Sequence, residues 1–175
     1  TKFPIGENGS LNSLCPDGKG NIYAVKYIYP MEPDENGMYI ETYFLQKMTE
    51  QGDVLFSVEL NSMPELEVIN SQDYFYTGDM IYSDGFLYIN IMDQYVKFDE
   101  NGNFVKILET GGENGLQGGT LFALENGKTV VLTYEDTGCY VAYVDLENGV
   151  TENKTKLPGT SYEYSVYAGY GYDLY

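Results

Sequence analysis

Carboxylates are the catalytic groups this sequence offers in quantity. Two adjacent pairs stand out, Asp34 with Glu35 and Glu135 with Asp136. Two carboxyl groups flanking a glycosidic bond can act as acid and base in sugar hydrolysis. Sequence neighbours rarely converge on one substrate, however, so solvated turn residues are the plainer reading of both pairs. Asp99, Asn101 and Asn103 alternate like the first ligands of a calcium loop. The bidentate glutamate that completes such a loop is missing, and the chain runs straight into an apolar stretch at 104–108, so a hairpin turn is expected there. Residues 110–120 (TGGENGLQGGT) are glycine-rich but lack the Gly-Lys-Ser/Thr of a phosphate-binding loop. Histidine is absent, which removes Ser-His-Asp and Cys-His catalysis and every imidazole zinc site. The expectation is a protein without catalytic residues, cofactor or metal.

Composition narrows the partners. Nine Lys and Arg stand against 27 Asp and Glu, a net charge of −18. Such a surface repels phosphate backbones and anionic lipid, so nucleic acid is not an expected partner. Nineteen Tyr and eight Phe are spread through the chain, which disordered sequences do not carry. No run of 18 apolar residues exists. Cys15 and Cys139 are far apart and both fall in strand-like runs. Two buried free thiols are expected, with a disulfide as the alternative. The chain starts at Thr1, and an export signal or lipid anchor is expected to have preceded it.

The elements that would position any site are short and β-rich. Runs at 22–29, 86–92, 128–134 and 140–145 read as strands, and several are apolar on both faces, as in sheets covered on both sides. One hairpin recurs at 44–60, 95–108 and 141–157, each time with an acidic turn ending in Gly52, Gly102 or Gly149. A second hairpin precedes each copy, with turns at 17–21, Asp84-Gly85, Asn126-Gly127 and 169–171. Two hairpins per unit of roughly 40 to 50 residues is the pattern of a propeller blade. The expected fold is therefore all-β, a single partial β-propeller over 1–175. It has about three antiparallel four-stranded blades (10–60, 74–109 and 118–157) and the start of a fourth (164–175). Strands are expected at 10–15, 21–29, 38–48 and 53–60, then 76–83, 86–92, 94–98 and 103–109, then 119–125, 128–135, 139–145 and 150–156. Residues 30–37 read as an inserted loop. A seven-stranded immunoglobulin-like sandwich is the alternative; it accounts for strands but not for paired turns.

Gln72-Asp73-Tyr74-Phe75-Tyr76, followed by Asp84-Gly85-Phe86-Leu87-Tyr88 and by 95–102, resembles a stretch in large exported solute-binding lipoproteins of gut-type Gram-positive bacteria. Leu157-Pro158 and 170–175 continue the resemblance. Those proteins are similar to family 1 sugar-binding components of ABC importers, with a propeller-like region ahead of the binding domain. The resemblance implies an extracellular, envelope-attached protein whose solute-binding domain lies elsewhere in a longer chain. It carries over no binding site.

If these blades hold a ligand, links between blades are the expected place, since such connections line the mouth of a propeller channel. The candidate binding residues are Asp73, Tyr74, Glu113, Asn114, Gln117, Tyr162 and Glu163. Tyrosine faces stack on sugars or peptides, and carboxylates accept hydroxyl or ammonium donors. The plainer alternative is that these links only pack neighbouring blades. The expected function is a non-catalytic recognition or scaffold module that takes a saccharide, a peptide or an envelope protein. A carboxylate-based glycoside-active propeller and a purely structural fragment are the alternatives. An open blade edge further implies one of two things: a chain cut from a longer protein, or a dimer in which two copies complete each other.

Overall fold

The computed structural model describes residues 8–69, 75–108, 119–124, 126–135 and 137–158. Within them the chain is all-β, built as three antiparallel four-stranded sheets. The first holds β1 (Gly9–Pro16), β2 (Asn21–Ile28), β3 (Thr42–Thr49) and β4 (Val54–Glu59) in sequence order. The second holds β5 (Thr77–Ser83), β6 (Phe86–Ile91), β7 (Gln94–Asp99) and β8 (Phe104–Ile107), and the third β9 (Thr120–Ala123), β10 (Thr129–Glu135), β11 (Gly138–Asp145) and β12 (Val150–Lys156). Twelve strands in three sheets exceed a seven-stranded sandwich. One boundary needs correction: β3 begins at Thr42, not at residue 38. Met38, Tyr39 and Ile40 read as strand because they are apolar, but they belong to the loop, which spans 29–41. The expected fourth unit at 164–175 lies outside the described residues.

Turn chemistry sets the registers. Asp84 and Gly85 lie at φ 51° and 84°, the left-handed pair that a two-residue hairpin requires, and Ser83 faces Phe86 across it. Three of the longer turns share a five-residue clasp in which an aspartate's N–H and carboxylate both reach along the chain. Asp99 N–H donates to the Asn103 carbonyl at 2.9 Å, and Asp99 Oδ1 accepts the N–H groups of Asn101 and Asn103 at 2.9 Å each. Asn103 Nδ2 donates to Oδ2 at 2.8 Å. These donors take up the Asp99 carboxylate, so the residues that resemble a calcium loop form the hairpin turn expected of them. Asp17 and Asp34 build the same clasp with the residues four positions on.

Two compact units divide the chain, Thr1–Ile107 and Leu108–Tyr175. In the first, the two sheets face each other through Tyr23, Val25, Tyr43 and Leu45 on one side and Met80, Leu87, Ile89, Ile91, Val96 and Phe98 on the other. β6 is buried on both faces, because Tyr88 and Asn90, which alternate with Leu87, Ile89 and Ile91, are also covered. β1 and β5 meet where Asn12 Nδ2 donates to the Thr77 carbonyl and hydroxyl, at 2.5 and 2.7 Å. The second unit packs around Leu121, Val130, Val131, Leu132, Cys139, Ala142 and Leu146.

Candidate functional site

The expected binding residues Asp73, Tyr74, Glu113, Asn114, Gln117, Tyr162 and Glu163 all lie outside the described residues, as does Asp136. Of the two candidate pairs, Glu135 and Asp34 are engaged, while Glu35 is exposed. Glu135 pairs with the Lys154 ammonium. Asp34 Oδ1 accepts the N–H groups of Asn36 and Met38 at 2.9 and 2.8 Å. Among the described residues no group of three or more Cys, Asp or Glu gathers in a geometry that could hold a metal. None of their helices is long and apolar enough to cross a membrane, which leaves β-barrels untouched.

A polar cluster joins the two sheets of the first unit. Antiparallel order puts the β1–β2 and β3–β4 turns at one end of the first sheet, and the β5–β6 and β7–β8 turns at one end of the second. These ends meet: the Lys19 ammonium bonds to Glu100 and, at 3.1 Å, to the Tyr82 hydroxyl, which itself donates to Glu100. Tyr23 stacks on Tyr82, with centroids 5.7 Å apart and planes at 18°, and donates its hydroxyl to the Glu100 carbonyl at 3.1 Å. The Lys47 ammonium lies 4.9 Å from the Tyr23 ring centroid and 3.8 Å from the buried Asp17 carboxylate. Residues 63 to 81 positions apart meet here, and no sequence pattern announces them. Every polar group in it is spoken for, and the cluster reads as a clamp.

The clamp has an acid limit. Burial alone would raise the Asp17 carboxyl, but hydrogen bonds from the Asn21 side chain and N–H and from the Lys19 N–H, with the Lys47 charge, outweigh it and hold it below the usual carboxylate range. Bonds from the Met38 and Asn36 N–H groups lower Asp34, and those from Asn103 and Asn101 lower Asp99 against its burial. A folded pKa below the unfolded one gives stability that is complete above the unfolded value, about 3.9, and drains away as pH falls through the folded value. The urea midpoint is therefore expected to hold from pH 7 to about 5 and to fall below about 4. In Asp17→Asn that acid fall should be shallower; an unchanged fall would remove Asp17 from the account.

Cys15, partly buried and a free thiol, borders the same junction. Burial, with some repulsion from Asp17, outweighs a backbone hydrogen bond at Tyr82 and pushes its pKa up to about 11. Thiolate is the reactive form. Iodoacetamide at pH 8 should alkylate Cys15 roughly a hundredfold more slowly than an unperturbed thiol, as read by peptide mass spectrometry. A rate near that of a model peptide would contradict the burial argument. Cys139 is buried, and no disulfide joins the two.

At the other end of the first sheet, residues 29–41 form an arm. The Asp34 clasp folds its tip, with Asp34 N–H donating to the Met38 carbonyl at 2.8 Å and Gly37 N–H to the Asp34 carbonyl at 3.0 Å. At its base, Asn61 latches the chain: its Nδ2 donates to the Glu41 carbonyl at 3.1 Å, and its Oδ1 accepts the Tyr43 N–H at 2.6 Å. Tyr29 and Tyr39 stack across the arm, 5.8 Å apart at 12°. The arm holds Tyr29, Met31, Met38, Tyr39 and Ile40 in solvent, with Met31 74% exposed. Sequence reading placed the insertion at 30–37 but missed this surface. The available signal was an apolar triplet directly after a clasp that had already turned the chain.

No protein-family model matches the chain, and no curated protein matches it. Among solved structures, the chain is similar to a protein of unknown function from Bacteroides caccae, at 11% sequence identity and a TM-score of 0.44. That match takes in 88% of this chain and spans 63% of the length of the other.

Proposed function

We propose that the chain is a piece of a β-propeller and serves as a non-catalytic recognition or scaffold module of an exported, envelope-attached solute-binding lipoprotein, taking a saccharide, a peptide or an envelope protein. The observation that carries recognition is the arm at 29–41. Large hydrophobic side chains are normally withdrawn from water, and a clasp and a latch spent on holding five of them outside favour a docking role. Repetition of the four-stranded sheet, with β1 set beside β5, supports the blade reading.

Replacing residues 30–40 with an Asn-Gly turn tests recognition. The intact chain should bind at least one class in a panel of soluble glycans and peptides, and the armless variant should lose it. Binding that survives arm removal would sink the assignment. The fragment reading has its own check in light scattering. Blades completed in trans give a dimer or higher species, and a monomer at high concentration would count against an open blade edge.

A further inference from the structure

We propose that the occupant of the arm is an arginine-bearing basic segment of a polypeptide, held between the Tyr29–Tyr39 pair and the carboxylates of Glu32 and Glu35. This rests on the recognition reading above and narrows it to one ligand chemistry. Three observations favour it.

The first is charge. Residues 29–41 carry Glu32, Asp34, Glu35 and Glu41 and no Lys or Arg, on a chain of net charge −18. Asp34 is engaged by its clasp, and Glu41 Oε2 accepts the Tyr43 hydroxyl at 2.6 Å. Glu32 and Glu35 are exposed on the same arm as the tyrosine pair. An anionic ligand is repelled here and a cationic one is drawn in.

The second is the aromatic pair. Tyr29 and Tyr39 are 48% and 51% exposed and nearly parallel, so each presents polarizable ring surface to solvent. A guanidinium is planar, weakly hydrated and suited to lying on such a face, whereas an ammonium is a compact hydrated charge. The chain already places cations on its rings, with Lys97 Nζ 3.9 Å from the Phe86 centroid and Lys128 Nζ 4.8 Å from that of Tyr143.

The third is the rest of the arm's exposed surface. Met31, Met38 and Ile40 are 74%, 47% and 50% exposed. Thioether and branched aliphatic surface adapts to the side chains of a polypeptide and has nothing to offer sugar hydroxyls. Asn36, the arm's one side-chain amide, donates from Nδ2 to Asp34 Oδ2 at 3.4 Å.

Binding of the full chain is measured at about 0.15 M salt to four probes: an alternating Arg-Gly peptide, its Lys-Gly and Ser-Gly counterparts, and maltohexaose. The Arg-Gly peptide should bind, the Lys-Gly peptide more weakly, and the neutral probes not at all. Tyr29→Ala with Tyr39→Ala should weaken the Arg-Gly peptide roughly tenfold and the Lys-Gly peptide much less. Glu32→Gln with Glu35→Gln should weaken both peptides and flatten their salt dependence, and it tests the site even if the tyrosine variant does not fold. Arg-Gly binding that ignores both pairs of substitutions would be diffuse attraction to an acidic body, and would overturn the inference. Maltohexaose binding lost with the tyrosines would also overturn it, while leaving the recognition reading standing. No binding by any of the four would overturn it too; the arm-replacement experiment then judges the broader reading separately.

Discussion

Tyr23→Ala is expected to cost the first unit about 3–5 kcal/mol, one of the largest losses available at the clamp. Tyr23 is fully buried, at the junction of the two sheets. It stacks on Tyr82, tilts against Phe56 at 6.3 Å, lies beneath the Lys47 ammonium and donates to the Glu100 carbonyl. Truncation removes the ring and leaves a cavity between two sheets that cannot close without shifting β2. Tyr23→Phe keeps the ring and should cost only about 1 kcal/mol, the net worth of one hydrogen bond. The Lys19–Glu100 pair beside it has side chains 61% and 40% exposed, where solvent screening leaves an ion pair little to contribute. The junction is therefore held by ring burial rather than by its visible charges. Hydrogen exchange on peptides covering β2 and β6 gives the readout, with protection falling by orders of magnitude in Tyr23→Ala. A Lys19→Ala loss as large as that of Tyr23→Ala would reverse this ranking.

Strand positions were legible in the sequence because strand and turn each leave a local signature. Paired glycine turns and two-faced apolar runs located the twelve strands of the described residues, most to within a residue or two. Asp84-Gly85 specifies its hairpin with two residues, since few other pairs tolerate that backbone. The misplaced start of β3 has a physical reason. Met38, Tyr39 and Ile40 carry the apolarity of a strand, but nothing in a linear pattern separates a hydrophobic residue that will be buried from one that will be held out. The clamp was illegible for another reason. Lys19, Tyr82 and Glu100 share no periodicity and meet only because two turns end at the same height, a fact of sheet stacking. Asp73, Tyr74, Glu113, Asn114, Gln117, Tyr162 and Glu163 were chosen by their position in the repeat, and the described residues do not reach them.

Gly102→Ala should cost about 2–5 kcal/mol, whereas Gly37→Ala should cost about 1–2 kcal/mol, although both glycines end the same Asp-Glu-Asn-Gly string. Gly37 lies at φ 80° and Gly102 at φ 81°, so the left-handed penalty for a side chain is the same in both, about 1–2 kcal/mol. The surroundings differ. A Cβ on Gly37 meets open space. A Cβ on Gly102 would stand 2.8 Å from Phe56 Cε2 and 3.1 Å from Cζ, with Val58 Cγ2 at 3.4 Å. Phe56 packs against the core and near the Tyr23 ring, so it cannot swing away freely. Overpacking of that kind adds about 1–3 kcal/mol. Urea midpoints of the two variants separate the shared backbone cost from the added steric one. Combining Gly102→Ala with Phe56→Leu should recover part of the steric cost and none of the backbone cost, and the coupling between the two sites measures it. Equal losses at Gly37 and Gly102 would mean that Phe56 yields to the methyl group, and that the turn does not depend on close approach of the first sheet. Unequal losses would mean that one clasp serves two ends: at the arm it only turns the chain, and at the clamp it also makes room for the neighbouring sheet.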